Sequence, residues 1–222
     1  MPLCHLDAGI IDRRFTREVC KGLSQIFFCG SYGDPIVHSD FLEIVRDFRL
    51  KNPELWIYIH TNGGLHDAEW WVELATIING YGKIDFGIDG LEDTNHLYRR
   101  NVKFEKAINN AQAFINAGGK AQWNYIVFKH NEHQINQAKT LSTLVGFEDI
   151  LFRGTGRFLD HENLEQNDAW SVVPQKDDPY ELNVTTLSEY HNASMQRLDS
   201  LKQEYPNMRD YFNTTPIKCD AC

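Results

Sequence analysis

Five short turns rich in glycine and polar residues interrupt this chain, each directly after an apolar run, and they hold the residues able to do chemistry. The first is Gly30-Ser31-Tyr32-Gly33-Asp34-Pro35, after Gln25 to Cys29. Glycines here allow positive torsions and close approach of a ligand to the main chain, while Asp34 offers a carboxylate and Pro35 fixes the exit. Such a turn can hold the amino group of a small zwitterion. The others are Thr61-Asn62-Gly63-Gly64, Asp89-Gly90, His130-Asn131 and Arg153-Gly154-Thr155-Gly156-Arg157. Arg99 adds a fork-shaped cation. Taken singly, each has a plainer reading: a strand-to-helix turn, an Asp89 cap, a surface ion pair at Arg99 or Arg100.

The elements that must position these turns alternate regularly. Strands are expected at Gln25–Cys29, Leu55–Ile59, Lys83–Ile88, Ala121–Phe128 and Asp149–Phe152, each short, apolar and bounded by turn residues. Between them lie helical patterns: Phe41, Ile44, Val45 and Phe48 after a Ser39 or Asp40 cap, and Trp70, Trp71, Leu74, Ile77 and Ile78 after Asp67. Phe104 to Ile115 and Ile135 to Val145 follow, stopped by Gly118-Gly119 and Gly146. Thr16 caps a short helix to about Gly22 ahead of the first strand. Strands recurring about every 30 residues with a helix between them are βαβ crossovers, hence a parallel sheet. A doubly wound open sheet and a closed or partly closed barrel both satisfy this. In a barrel the functional groups gather at the carboxyl ends of the strands, which is where all five turns fall.

Composition bounds the function classes. The 222 residues are 42% hydrophobic and 12% aromatic, enough for a sizeable core, and carry a formal charge of −9. That balance disfavours general nucleic-acid binding and favours small substrates or a protein partner. No stretch approaches the roughly 18 apolar residues of a membrane span, and no basic-then-apolar leader opens the chain, so a cytoplasmic address is expected. Five cysteines, Cys4, Cys20, Cys29, Cys219 and Cys222, are an odd number that argues for free thiols or metal ligands. Cys20 and Cys29 read as small core residues. From Phe158 the chain turns polar and acidic, a linker or substrate-side extension, before an expected amphipathic helix over Thr185–Tyr205.

Together the strand-end motifs resemble the radical S-adenosylmethionine superfamily, in particular members with a C-terminal SPASM or twitch extension. Gly30 to Pro35 looks like the family's methionine-amino-group motif, and Thr61-Asn62-Gly63 like the usual end of the next strand. Gly87-Ile88-Asp89-Gly90 is similar to the family's Ser-x-Asp-Gly, and Arg99 stands twelve residues after Gly87, where members place an arginine. The resemblance implies a partial (β/α)6 TIM-like barrel of parallel strands over residues 1–157, with a helical or irregular C-terminal extension over 158–222. It implies S-adenosylmethionine bound by Gly30, Ser31, Tyr32, Gly33, Asp34, Thr61, Asn62, Gly63, Gly87, Asp89, Arg99 and Asn131. Gly87 in place of serine removes one hydroxyl contact.

The superfamily's defining feature is a Cys-x-x-x-Cys-x-x-Cys loop whose thiolates bind a [4Fe-4S] cluster. Here Met1-Pro2-Leu3-Cys4 resembles the end of that loop, with Cys4 as third ligand and Met1 where the second cysteine would stand, as in a chain beginning at an internal methionine. Cys219-x-x-Cys222 looks like the start of an auxiliary-cluster extension. The resemblance implies a 5′-deoxyadenosyl radical abstracting hydrogen from a substrate, an electron donor and, by analogy with members carrying the extension, a peptide or protein substrate. Two other classes stay open. One is a degenerate barrel that binds S-adenosylmethionine or another nucleotide without redox chemistry. The other is a metal-dependent barrel hydrolase using His60, His130 and His133.

Overall fold

The computed structural model describes residues 7–30, 33–160, 165–172, 179–191, 204–205 and 208–214. They fall into two compact units, one of Met1–Tyr125 with Gln134–Leu151 and the other of Ile126–His133 with Phe152–Cys222.

The first unit begins with two short helices, α1 (Ala8–Arg14) and α2 (Arg17–Lys21). Asp7 and Thr16 cap them, each side chain accepting a backbone N–H of the first turn. Helix α1 buries none of its residues, so it has no apolar stripe by which the sequence could announce it. Strands β1 (Gln25–Phe28), β2 (Trp56–Thr61), β3 (Gly82–Gly87), β4 (Ala121–Ile126) and β5 (Asp149–Arg153) form one sheet in the order β1-β2-β3-β4-β5. The pairings from β1 to β4 are parallel. Helices α3 (Phe41–Lys51), α4 (Ala68–Ile78), α5 (Asn95–Tyr98), α6 (Phe104–Asn116) and α7 (Ile135–Val145) lie between the strands in sequence. Asp67 caps α4 by accepting from Trp70 N, and Asn79 and Gly146 end α4 and α7 with left-handed torsions, φ 47° and 97°. All five expected strands are present within two residues of their expected ends, and the α/β, partial-barrel class of parallel strands holds.

The sheet's two faces differ sharply. Because side chains alternate along a strand, Ile57, Ile59, Ile84, Phe86, Ile88, Trp123 and Tyr125 share one face, and all are buried. Helix residues Phe48, Trp71, Leu74, Ala111 and Phe114 complete this core. The opposite face carries Phe27, Tyr58, His60, Lys83, Asp85, Gln122 and Asn124, mostly polar.

Two expectations about β1 change. It was expected to be buried, with Cys29 a core residue, yet Phe27 is 50% exposed and Cys29 is exposed. β1 has a neighbour on one side only among the described strands, so its length lacks the shielding a central strand receives. Cys20 is buried as expected, and burial pushes its thiol pKa up.

In the second unit, β6 (Leu159–Asp160) pairs antiparallel with β7 (Glu165–Gln166), and β8 (Ala169–Val172) with β9 (Tyr180–Asn183). The expected helix does not begin at Thr185. The Thr185 and Thr186 hydroxyls and the Thr186 N–H donate to the Glu132 carboxylate, and the Ser188–Tyr190 segment is a single 3-10 turn. Residues 192–203 of that expectation lie outside the described residues.

Candidate functional site at the strand ends

The chain leaves β1 at a point where a side chain cannot fit. A Cβ on Gly30 would stand 1.5 Å from the Gly33 carbonyl oxygen, so the turn closes on bare backbone. Ser31 and Tyr32 lie outside the described residues. Asp34 then ties the turn to the end of β2. Its Oδ1 accepts from Ile36 N at 3.2 Å, and its Oδ2 accepts from Thr61 Oγ1 at 2.9 Å and Asn62 N at 2.7 Å. Thr61 Oγ1 in turn accepts from Gly63 N, and Asn62 Oδ1 from Gly64 N, the local bonds that let Thr and Asn shape turns. The Asn110 amide on α6 donates to the Gly63 carbonyl at 2.8 Å and fixes the loop against the helix layer.

The end of β3 is built around charge. Asp89 is 0% exposed, and Arg99 Nε donates to its Oδ2 at 2.6 Å. The Asp89 N–H donates to Asn95 Oδ1 at 2.9 Å, and the Trp123 indole donates to the Ile88 carbonyl at 2.7 Å. Burial acts to lower the Arg99 pKa, yet the Asp89 carboxylate, with Tyr98 and Asp34, carries it above its ordinary value. The guanidinium also lies over the Tyr98 ring, 5.0 Å from its centroid. Asp34 thus contributes to the field at Arg99, which links the first and third strand ends. Burial, then the Asp89 and Asp93 charges, push the buried Tyr125 phenol well up, so it stays neutral.

Gly87 has a steric role. A Cβ there would come within 2.6 Å of an Arg99 Nη, so the missing side chain is space the guanidinium uses. Among the described residues no hydrogen bond engages the Arg99 Nη groups, and the buried Asn95 Nδ2 has no partner either. This strand end therefore offers the Arg99 Nη N–H groups as unmatched donors, the complement of a carboxylate or of ribose oxygens.

Sequence reasoning singled out Asp34, Thr61, Asn62, Gly63, Gly87, Asp89 and Arg99, and the structure groups them at the ends of β1 to β3. It missed Asn95 and Gln134. Gln134 Oε1 accepts from Leu91 N at 3.0 Å and its amide donates to Asp93 at 2.6 Å, bracing the turn after β3. Polar residues inside polar segments carry no periodic signal that would have exposed them. In the second unit Asn131 is buried, with Oδ1 accepting from Phe128 N at 2.8 Å and Nδ2 donating to the Ile126 carbonyl at 3.0 Å. A separate cavity of about 460 Å³ is lined by Glu92, His96, Arg100, Lys103, Phe104 and Glu105, with no strand-end residue in its wall.

The metal side is different. Cys4, Cys219 and Cys222 lie outside the described residues, and among the described residues no group of three or more His, Cys, Asp or Glu is placed to hold a metal ion. His60 pairs with Asp85 at 3.2 Å, and His133 is exposed. The described residues offer donors suited to a carboxylate or a diol and do not supply a cluster site. No described helix is long and apolar enough to cross a membrane.

Comparison with known proteins bears on the fold and the family. No curated protein matches the sequence. Among solved structures, SuiB of Streptococcus suis bound to precursor peptide SuiA is similar in fold, with a TM-score of 0.56 and 15% identity over 71% of this chain and 35% of SuiB. Native anSMEcpe with bound AdoMet gives a TM-score of 0.51 and 19% identity over 67% of this chain and 42% of its own. The chain spans less than half the length of either structure. The profile of the Radical SAM superfamily, whose cofactors are S-adenosylmethionine and a [4Fe-4S] cluster, matches residues 13–141, more than half of the chain. The chain belongs to the Radical SAM superfamily.

Proposed function

We propose that this chain is the S-adenosylmethionine-binding core of a radical enzyme that abstracts hydrogen from a peptide or protein substrate. The observation that carries the reading is Arg99, anchored through Nε on the fully buried Asp89 while its Nη groups stay without a described partner above Gly87. An arginine held this way has its orientation fixed before a ligand arrives, so little ordering cost falls on binding. In this reading the Arg99 fork receives the cofactor carboxylate or ribose. The main chain of Gly30 to Gly33 receives its ammonium, and Asp34, with Thr61, Asn62 and Gly63, holds that turn closed. Bound S-adenosylmethionine supplies the chemistry, a hydrogen-abstracting 5′-deoxyadenosyl radical formed after one-electron reduction.

A peptide or protein as substrate is supported by the Cys219-x-x-Cys222 pair, which resembles the start of a SPASM or twitch extension. It is supported also by fold similarity to SuiB, whose structure was solved with a precursor peptide. Cys4, Cys219 and Cys222 are the thiolates this reading assigns to iron.

The test is anaerobic iron–sulfur reconstitution of the full chain, with iron and sulfide counted and 5′-deoxyadenosine followed after addition of a strong reductant. Bound iron with reductant-dependent 5′-deoxyadenosine supports the radical reading. Cofactor binding without iron would replace it by a binding barrel without redox chemistry, and neither iron nor cofactor binding would remove the reading from this chain altogether.

A further inference from the structure

The polar face of the sheet holds a buried carboxylate that the cofactor site leaves unused. Asp85 lies on β3, two residues before Gly87 and on the same face, and is only 8% exposed. Its Oδ2 stands 3.2 Å from His60 Nε2 in register on β2, whereas its Oδ1 is buried with no hydrogen-bond partner among the described residues. On β4, Asn124 stands in register with Gly87, and its Oδ1 is a second buried acceptor without a described partner. Two orphaned acceptors on adjacent strands are costly unless something donates to them.

Charge narrows what that donor is. The nearest lysine in the register, Lys83, donates to Gln122 Oε1 at 2.6 Å, and among the described residues no lysine or arginine pairs with Asp85. A buried carboxylate with one oxygen unmatched favours a cation over a neutral group. On the same face of β1 and β2, Phe27 and Tyr58 stack face to face with centroids 4.5 Å apart, two residues before the His60–Asp85 register. We propose that Asp85, Asn124 and His60 form a binding site for a primary ammonium group, such as a lysine side chain or a free alkylamine. It lies one register step below the Gly87–Asp89 strand end. As a substrate subsite this rests on the function proposed above; the ammonium affinity itself does not.

The experiment titrates the full chain with n-butylammonium chloride at constant ionic strength. The histidine ring resonances are followed by NMR, with His60 assigned from His60→Gln and butyramide as the neutral comparator. A saturable shift of the His60 signals, weakened about tenfold in Asp85→Asn by loss of a charge-assisted bond and absent with butyramide, is expected. Asn124→Ser is the second variant, should Asp85→Asn fail to fold, and is expected to weaken binding by a smaller factor. No saturable shift, equal affinity in the substituted chains, or equal binding of butyramide would overturn the proposal. Calorimetry with S-adenosylmethionine on the same preparations separates the two readings. Cofactor binding without ammonium binding sinks this one alone, and ammonium binding without cofactor binding sinks only the function.

Discussion

Asp34 and Asp89 end two strands of one sheet, and they do different work because their partners differ. Asp34 is partly exposed and accepts from three neutral donors, two backbone N–H groups and the Thr61 hydroxyl. Asp89 is fully buried and is matched by a cation, Arg99. A carboxylate on neutral donors shapes a turn, and its loss costs those bonds. A buried carboxylate on an arginine fixes that arginine's direction, and its loss leaves a charge without its partner.

The largest effect is expected where that asymmetry is greatest. Asp89→Leu should lower unfolding stability by about 3 kcal/mol, at the lower end of the range for breaking a buried pair because Arg99 is 28% exposed and can partly rehydrate. Urea denaturation measures it, and a loss no larger than that of Asp34→Ala would erase the distinction between the two ends. Arg99→Lys comes next. An ammonium cannot donate to Asp89 and present a fork at once, so S-adenosylmethionine affinity should fall by roughly tenfold or more although the charge is kept. Asp34→Ala should cost about 2 kcal/mol and expose the turn after β1 to proteolysis, the loss of charge-assisted bonds from three neutral donors at a partly exposed site. Gly87→Ser should change stability little, since the atom in its way is the end of a flexible side chain. It should weaken cofactor binding by about a few-fold as Arg99 shifts.

Glu132 sharpens the comparison from the second unit, as another carboxylate served by neutral donors. Burial acts to raise its pKa, but the Thr185 and Thr186 hydroxyls and the Thr186 N–H hold it below the ordinary value of 4.5. A depressed folded-state pKa gives stability that is fully present above the unfolded value and is lost as pH falls through the lower folded one. The segment after β9 should therefore loosen first on acidification below about 4.5, and Glu132→Gln should remove that pH dependence in hydrogen exchange.

Much of this was legible in the sequence, for reasons particular residues make plain. The runs around Ile57–Ile59 and Ile84–Ile88 are apolar, short and closed by Asn62-Gly63 and Asp89-Gly90, so both strand and turn announce themselves. The spacing of Arg99 from Gly87 survived in one dimension because a short loop and α5 connect them. What stayed hidden depends on neighbours in space. The exposure of Phe27 follows from β1's single described neighbour, and the His60–Asp85 pair from the register of β2 on β3. Asn95 and Gln134 are polar residues in polar stretches, and only the folded turn shows that they brace Asp89 and its loop. The strands β6 to β9 have 2 to 4 residues each, too few for an alternation to stand out.

The central claim is that Arg99, aimed by Asp89, receives S-adenosylmethionine. The direct measurement is titration calorimetry of S-adenosylmethionine into the full chain and into Arg99→Ala. The account predicts one-to-one binding to the first, with affinity lowered at least about tenfold in the second. Equal affinity in both, or no binding to the unsubstituted chain, would contradict it.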